Sequence, residues 1–377
     1  DMDRSFAEDR SKPQFEHSRY RALDGYRFIA ASLVVLYHYN LDFGLGIEAY
    51  LPAVKKLYAL VDFFFVLSGF VIATSYIDRV GTLPQYATFM RRRFARLYPL
   101  HAVTLLAYVG LAIIMALGLA QANHADFFRW SALPANILLV QAWGFLSGPS
   151  FNVVSWSISA EWFLYLVFPL LAWPARRLPP LASLGLVAAF IMASELPRRA
   201  GGIGGWAEAS YDFGMLRAVP SFYAGILIAI YVPRLGSRLV VPWTAVHVIF
   251  LVALACLMVD ALHVVALALF ALTVAAAVLA ENSGPTVMGG TRMGALGDAS
   301  YGIYMIHPLI SIPILVVVRS KIGLGTPAAA MIAVITYVFV VWAAMIIHRK
   351  FEMPMRRWIA GEGSSRKAIK SSSSVTA

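Results

Sequence analysis

Among the titratable side chains in the long apolar stretches of the sequence, we single out His38, Asp62, Glu161, His247 and His307. Ionisable groups are costly in hydrocarbon, so those that occur inside membrane segments are functional candidates by default. A histidine is the most frequent general base, and a nearby carboxylate fixes its tautomer and supports its protonated form. The set therefore favours proton-transfer chemistry inside a membrane, with His38 as the strongest candidate for the base.

Each of these residues also has a purely structural interpretation. His38 and Asp62 could simply hydrogen-bond inside a packed helix bundle, and for Asp62 the two interpretations are balanced. His247 stands alone on an apolar segment, and we interpret it as structural. His307 precedes Pro308, so it either lines a cavity or its ring satisfies a carbonyl group that the proline leaves free.

The spacing of Arg27 and His38 indicates a long ligand. The two residues are 11 positions apart, which is almost three turns of an α-helix, so both side chains lie on one helix face. Their separation along the axis is roughly 16 Å. One small reacting group cannot touch both, whereas a long, thin ligand running along the helix can.

A run of arginines, Arg91-Arg92-Arg93-Phe94-Ala95-Arg96, opens an apolar segment. Arg93 and Arg96 are three positions apart and share one helix face. Guanidinium groups match the geometry of phosphate, and the N-terminus of a helix adds favourable backbone donors. The tendency of cytoplasmic loops to be basic would produce the same cluster without a ligand. Spacing alone leaves both interpretations open.

The stretch from Val61 to Phe70 combines bulky aromatic residues with the small pair Ser68-Gly69. Small residues let neighbouring helices approach closely, which is the structural interpretation. The functional interpretation is that the pair makes room for a ligand in the middle of the membrane.

The composition identifies the elements that position these groups. Of the 377 residues, 60% are hydrophobic and 14% are charged, against about 45–50% and 25% in soluble domains. This high apolar content excludes a disordered chain and a protein that coats nucleic acid. A disulfide-stapled domain is excluded because Cys256 is the only cysteine. A polytopic membrane protein remains. The net charge of +11 then reflects basic cytoplasmic loops.

Eleven apolar segments are long enough to be candidate spans. They lie at about 26–44, 57–77, 99–119, 132–146, 157–173, 181–196, 214–232, 240–258, 264–281, 297–318 and 327–347. The basic connections all fit the cytoplasmic side if both termini are cytoplasmic, which requires an even number of spans. We therefore expect either 132–146 or 157–173 to be short or re-entrant, which membranes tolerate where the backbone lines a cavity.

This topology also places the two carboxylates. Asp62 falls in the outer half of the second span, at a depth similar to that of His38, where it can pair with the imidazole. Glu161 falls in 157–173, one of the two segments that cannot both cross the membrane, and we expect it to line a cavity.

The fold class predicted from these patterns is all-α: a polytopic membrane bundle of about ten transmembrane helices plus a re-entrant segment. We expect a polar N-terminal segment over 1–20, a membrane domain over 21–358 and a disordered cytoplasmic tail over 359–377.

Several separate motifs resemble, in the same order, those of the membrane acyltransferase 3 family, which includes bacterial polysaccharide and lipopolysaccharide O-acetyltransferases. The resemblance runs from about Tyr20 to Arg357. Its motifs are Leu23-Asp24-Gly25-Tyr26-Arg27 followed by His38, Val61–Phe70, Arg93-Phe94-Ala95-Arg96-Leu97-Tyr98-Pro99, Trp156–Tyr165, Pro220–Gly225, Ser300–His307 and Phe351-Glu352-Met353-Pro354.

The resemblance implies transfer of an acyl group, usually acetyl, from cytoplasmic acyl-CoA to a hydroxyl at the outer face. The roles that it implies are catalytic for His38, Asp62 and Glu161, cofactor-binding for Arg27, Ser68, Arg93, Arg96 and Tyr98, and substrate-binding for Trp156, Tyr301 and His307. Our hypothesis is that His38 is the general base on the acceptor hydroxyl and that Asp62 or Glu161 orients it.

The same resemblance predicts the partners. They are acetyl-CoA or another acyl-CoA as donor, a saccharide or glycolipid acceptor, and the lipid bilayer of the bacterial inner membrane, with no metal and no nucleic acid. The main alternative is a proton-coupled transporter or flippase of a saccharide or lipid-linked substrate, because broken helices with intramembrane His and Asp also describe such carriers. The phosphate-type arginine pair Arg93 and Arg96, at one end of the predicted bundle, argues against the transporter.

Overall fold

A computed structural model describes residues 20–119, 125–235 and 239–361. Within these ranges the chain is helical and contains no β-strand, which confirms the all-α prediction. The α-helices are α1 (Arg21–Asp42), α2 (Leu60–Tyr76), α3 (Leu83–Ala116), α4 (Leu133–Ile137), α5 (Trp156–Arg177), α6 (Pro180–Ala200), α7 (Gly214–Leu235), α8 (Trp243–Cys256), α9 (His263–Ala280), α10 (Thr291–Asp298), α11 (Ser300–Val317), α12 (Pro327–Ile347) and α13 (Met353–Ala360).

Eight helical stretches in the described part of the chain are long and apolar enough to cross a membrane. They contain α2, α3, α5, α6, α7, α9, α11 and α12. Helix α1 has 22 residues but carries Asp24 and Arg27 in its first two turns, and α8 is apolar but has only 14 residues. These two helices correspond to the remaining two of the ten predicted spans.

The segment 132–146 is not a spanning helix. It contains the five-residue helix α4 followed by turns. Its backbone is held by neighbouring side chains: Tyr98 donates to the Ile137 carbonyl at 3.1 Å, and Ser159 donates to the Leu139 carbonyl at 2.8 Å. The segment 157–173, in contrast, lies within the continuous helix α5. The predicted conflict between the two segments is therefore resolved in favour of α5.

Close packing of α2 on α7 holds the middle of the bundle together. A side chain at Gly69 would collide with the Phe222 carbonyl, and one at Gly225 would collide with the Val66 carbonyl. Only glycine allows this approach of two backbones. The structural interpretation is thus confirmed for Gly69, which makes room for a helix and not for a ligand.

Helices α2, α5 and α7 run in the same direction, and several arginines gather where they end. We call this the basic end, and define it by Arg93, Arg96, Arg176 and Arg356. Arg176 at the end of α5 pairs with Asp78, just after α2, at 2.9 Å. Counted from Tyr76, where α2 ends, Ser68 lies about 12 Å and Asp62 about 21 Å along the helix axis.

The predicted terminal segments fall mostly outside the described residues. The structure does not describe residues 1–19 and 362–377. The boundary expected at residue 359 lies inside α13, which continues to Ala360.

Candidate active site

A cavity of about 410 Å³ opens at the basic end and extends into the middle of the bundle. Four arginines contribute to its lining: Arg27, Arg93, Arg96 and Arg356. Its inner part is lined by the polar residues Ser68, Ser157, Glu161, Tyr165 and Tyr304, together with apolar residues of α2. The volume lies within the usual range of ligand sites, which is about 300–1,000 Å³.

Aromatic rings orient the two predicted phosphate-binding arginines. Arg93 donates to the Tyr76 hydroxyl at 3.2 Å, and its guanidinium carbon lies 5.0 Å from the centre of the Tyr76 ring. Arg96 lies 5.4 Å from the centre of the Tyr301 ring. Guanidinium groups held against ring faces keep their outer N–H groups available for an anion. Both arginines therefore belong to the cavity, as their spacing predicted.

Tyr301 and Glu352 complete this arrangement. The Tyr301 hydroxyl donates to the Leu97 carbonyl at 2.6 Å, which fixes the ring beneath Arg96. Tyr301 lines the donor cavity itself, whereas its predicted role was in binding the substrate. Glu352 lies 3.8 Å from Arg96 and accepts from His348 at 3.0 Å. The sequence analysis included Glu352 in the motif Phe351-Glu352-Met353-Pro354 but assigned it no role.

Glu161 lies in the cavity without a cationic partner within 4.0 Å among the described residues. Ser68 donates to its Oε1 atom at 2.7 Å, and Tyr165 donates to the same atom at 2.5 Å. Glu161 is a residue of the continuous helix α5, so of the two segments left open as short or re-entrant its own is not the interrupted one. The expectation that it lines a cavity is confirmed.

Asp62 does not pair with His38. Its carboxylate binds the guanidinium of Arg217 at 2.9 Å, and both side chains are almost fully buried between α2 and α7. Ser221 approaches the carboxylate more loosely, at 3.4 Å. The predicted Asp62–His38 pair was therefore wrong, because a buried arginine on α7 offers a full opposite charge that a neutral imidazole cannot match.

Arg217 was missed by the sequence reading. The guanidinium carbon of Arg217 lies 5.6 Å from the centre of the Tyr58 ring and 5.2 Å from that of Trp156, and its side chain is 1% exposed. Arg217 stands four positions into the apolar segment 214–232. An arginine in an apolar segment needs a buried anion, and Asp62 was the signal that could have identified the pair.

His38 faces a second histidine. The ring centres of His38 and His307 are 5.1 Å apart, and Tyr37 lies 5.0 Å from His38 on another side. His307 is fully buried, and its Nδ1 atom lies 2.8 Å from the Tyr304 carbonyl. Pro308 has no N–H group to bond to that carbonyl, so His307 satisfies it, as one of the two interpretations expected.

This contact sets the tautomer of His307. Only a protonated Nδ1 can donate to the Tyr304 carbonyl, so the Nε2 atom of the neutral ring carries the lone pair. That Nε2 atom is buried and has no hydrogen-bond partner among the described residues. His307 thus presents an unused acceptor in the layer of the bundle that contains His38.

Tyr304 stands between the cavity and the histidine pair. Neither histidine is among the described residues that line the cavity, whereas Tyr304 lines it. The Tyr304 ring lies 6.2 Å from that of His307, and its hydroxyl donates to the Val154 carbonyl at 2.9 Å. Ser157 donates to the Tyr304 hydroxyl at 2.9 Å. The bonds to α5 and to the turn before it hold this ring in place.

Tyr98 and Trp156, like Asp62 and the two histidines, are not among the described residues that line the large cavity. Tyr98 stacks on Phe94 with ring centres 4.4 Å apart and gives its hydroxyl to the Ile137 carbonyl. Trp156 lines a separate small pocket of about 20 Å³ together with Gln141 and Asn152. The structure therefore does not bring Tyr98, predicted to bind the cofactor, or Trp156, predicted to bind the substrate, into the lining of the large cavity.

His247 forms a hydrogen bond between its Nδ1 atom and the Tyr26 hydroxyl at 2.6 Å. This contact joins α8 to α1, in agreement with the structural interpretation. No group of three or more potential metal ligands (His, Cys, Asp or Glu) occurs in the described part of the chain.

Comparison with known families decides the class of the protein. A family model described as "Acyltransferase domain" matches residues 20–349, which is nearly the whole described chain. The chain belongs to this acyltransferase family. Membership confirms the resemblance inferred from the motifs.

Two curated relatives of this acyltransferase match at 42% identity. One is the acyltransferase MdmB of Streptomyces mycarofaciens, aligned over 123 residues that cover 32% of this chain and 29% of the relative. The other is protein 2 in the picA locus of Rhizobium radiobacter, aligned over 89 residues that cover 23% of this chain and 42% of the relative. The chain therefore spans less than half the length of each relative in these alignments. No solved structure matches the chain.

Proposed function

We propose that the protein is an integral membrane O-acyltransferase that moves an acyl group, acetyl in the simplest case, from acyl-CoA to a hydroxyl of a saccharide-type acceptor. The observation that carries the proposal is the cavity at the basic end. It combines arginines at its mouth with a carboxylate and hydroxyl groups at its inner part. A cavity with cationic groups at its mouth and hydroxyl groups further in suits a ligand with an anionic head and a thin, neutral arm.

The donor enters from the basic end, which we take to be cytoplasmic. Arg93 and Arg96 bind the phosphate-rich head of coenzyme A, because planar guanidinium groups bind phosphate oxygens in pairs. Arg27 adds a third cation at the same cavity, although it also contacts Asp24 at 3.3 Å. The pantetheine arm then passes Ser68 and brings the thioester to the level of Tyr304.

His38 acts as the general base. Over the whole reaction a C–O bond forms between the acceptor oxygen and the acyl carbon, the C–S bond breaks, and coenzyme A leaves as a thiolate. The proton of the acceptor passes to His38. His307 takes over the orienting part that we had expected from a carboxylate, because its tautomer is set by the Tyr304 carbonyl and its free Nε2 atom can accept from the His38 N–H, directly or through water.

The small pocket beside Trp156 supports a hydroxyl-bearing acceptor. The Oε1 atom of Gln141 and the Oδ1 atom of Asn152 are buried without a hydrogen-bond partner in the described structure. Buried acceptors of this kind are satisfied by O–H donors. A pocket of about 20 Å³ has room for one water-sized group such as a hydroxyl. Asn152 also donates to the Met305 carbonyl, two residues before His307.

Family membership favours this function over a transporter, and both curated relatives come from bacteria. We therefore place the enzyme in the bacterial inner membrane as a multi-pass protein.

The proposal is tested with purified protein in lipid nanodiscs, using acetyl-CoA as donor and methyl glucoside and glycerol as simple hydroxyl acceptors. Mass spectrometry of the products measures transfer, and calorimetry measures donor binding. We expect His38→Ala to abolish transfer and to leave acetyl-CoA binding unchanged. Full transfer by His38→Ala would contradict the role of the base.

A further inference from the structure

In the inner part of the cavity one carboxylate accepts hydrogen bonds from two hydroxyl groups. Ser68 on α2 donates to Glu161 on α5 at 2.7 Å, and Tyr165, one turn further along α5, donates to the same carboxylate oxygen at 2.5 Å. All three residues line the cavity. A nucleophile bonded to a base that a third group orients is the arrangement of an activated serine.

The surroundings of Glu161 favour a role as base. The carboxylate of Asp62 binds the guanidinium of Arg217 at 2.9 Å and is not among the described residues that line the cavity, whereas Glu161 faces the cavity. The contacts of Glu161 within hydrogen-bond distance are to two neutral hydroxyl groups. Its Ser68 contact also falls in the range of about 2.6–3.2 Å that proton transfer needs.

The position of Ser68 supplies a second reason. A thioester held in the cavity meets Ser68, which lines the cavity. A group that takes the acyl chain from coenzyme A inside the cavity would allow the bulky donor to leave before the acceptor reacts.

We propose that Ser68 is an acyl-accepting nucleophile, so that transfer proceeds through an acyl-Ser68 ester. This inference rests on the proposed function, since it requires acyl-CoA in the cavity. In the first step the Ser68 oxygen attacks the thioester carbon and its proton passes to Glu161. The C–S bond breaks, and coenzyme A leaves as a thiolate that takes a proton from solvent.

The second step returns the enzyme to its starting state. The acceptor oxygen attacks the acyl carbon of the ester, and its proton passes to His38. The bond from the acyl carbon to the Ser68 oxygen breaks, and that oxygen recovers its proton from Glu161. His38 then releases its proton to solvent. Tyr165 acts as a positioning residue, because it reaches the reaction only through Glu161.

The test uses the half-reaction that needs no acceptor. The full-length protein in nanodiscs is incubated with acetyl-CoA and isotopically labelled coenzyme A. Exchange of label into acetyl-CoA reports the reversible formation of an acyl-enzyme, and peptide mass spectrometry locates the added acetyl group. We expect exchange in the native protein, an acetyl group on Ser68, and loss of both in Ser68→Ala and Glu161→Gln, with acetyl-CoA binding retained.

Ser32→Ala is the matched control. Ser32 is a membrane-embedded serine on α1 that donates to the Phe28 carbonyl and accepts from Tyr337, and it is not among the described residues that line the cavity. It should exchange like the native protein. His38→Ala should also exchange, because His38 serves only the second step.

Ser68→Cys adds a chemical signature. An acetyl group on residue 68 of this variant is a thioester, which neutral hydroxylamine removes, whereas the native serine ester resists this treatment. Cys256 is the only native cysteine, so peptide mass spectrometry has one other thiol to distinguish.

Three results would overturn the inference. Exchange that persists in Ser68→Ala, or absence of exchange in a native protein that binds acetyl-CoA, would each exclude acyl-Ser68 while leaving the proposed function standing. An acetyl group found on His38 would exclude acyl-Ser68 and would also contradict the role of His38 as the base. Failure of the native protein to bind acetyl-CoA would reject the proposed function and this inference together.

Discussion

Asp62 and Glu161 are both carboxylates in membrane-embedded helices, and their surroundings differ in almost every respect. Asp62 is 3% exposed and is neutralised by Arg217 at 2.9 Å, with aromatic rings around the guanidinium. Glu161 faces the cavity and receives hydrogen bonds from Ser68 and Tyr165. One carboxylate is closed off by an opposite charge, and the other remains open to a ligand.

The difference separates a structural charge from a reactive one. Placing either carboxylate in hydrocarbon carries a similar free-energy cost, so that cost alone does not distinguish the two residues. Asp62 is bound to a buried cation, whereas Glu161 faces the cavity and accepts hydrogen bonds from Ser68 and Tyr165. We therefore expect changes at Asp62 to act on stability and changes at Glu161 to act on the reaction.

The largest effect is expected from Asp62→Asn. The substitution leaves the Arg217 guanidinium buried without a counter-ion, which costs about 3–5 kcal/mol. Thermal unfolding of the purified protein in detergent should show a strongly lowered midpoint. Removing both partners in Asp62→Asn/Arg217→Leu should recover a large part of the loss, because no unpaired charge remains. A single variant as stable as the native protein would remove the distinction between the two carboxylates.

The next largest effect is expected from Glu161→Gln, and it falls on the rate. Loss of a general base lowers turnover by about 10²–10⁴-fold. The neutral amide keeps the shape of the side chain and can still bond to Ser68, so the unfolding midpoint should stay near that of the native protein. Acyl transfer and thermal unfolding are measured on the same preparation. A large fall in stability with unchanged turnover would assign Glu161 a structural role like that of Asp62.

A smaller effect is expected from Tyr165→Phe. It removes one donor to the Glu161 carboxylate, and hydrogen bonds to charged groups contribute about 1.5–3 kcal/mol. Steady-state kinetics should show a turnover about tenfold or more lower, with an unchanged KM for acetyl-CoA, since the hydroxyl orients the base and does not touch the donor. A raised KM with normal turnover would instead place Tyr165 in donor binding.

The smallest effect is expected from Ser221→Ala. Ser221 approaches Asp62 at 3.4 Å, which is long for a hydrogen bond, while Arg217 supplies the main contact. We expect a change in stability of less than about 0.5 kcal/mol and no change in turnover. A loss comparable to that of Asp62→Asn would show that the pair depends on the serine.

Much of the architecture follows from the sequence because hydrocarbon requires long apolar helices and tolerates few charges. The apolar segments predicted α7, α9 and α12 at nearly their observed positions, and the spacing of Arg93 and Arg96 predicted that they share one helix face. The requirement for an even number of spans also predicted that one of the two neighbouring segments 132–146 and 157–173 does not cross the membrane.

The pairing of side chains between helices could not be predicted in the same way. Asp62 and His38 lie on adjoining helices, and only the packing of α7 on α2 shows that Arg217 reaches the carboxylate first. Likewise, Tyr98 belongs to a motif beside two cavity arginines, but its ring turns to Phe94 and its hydroxyl to Ile137. Helix rotation and three-dimensional neighbours decide such contacts, and one sequence contains neither.

The most direct test of the account is the binding of acetyl-CoA to the purified protein in nanodiscs, measured by calorimetry. The Arg93→Ala/Arg96→Ala double variant is compared with Arg176→Ala, which removes an exposed arginine at the same end that is not among the described cavity residues. We predict clear binding by the native protein and by Arg176→Ala, and binding weakened by about tenfold or more in the double variant. A folded native protein that does not bind acetyl-CoA, or equal binding by all three proteins, would contradict the claim that this cavity receives the acyl donor.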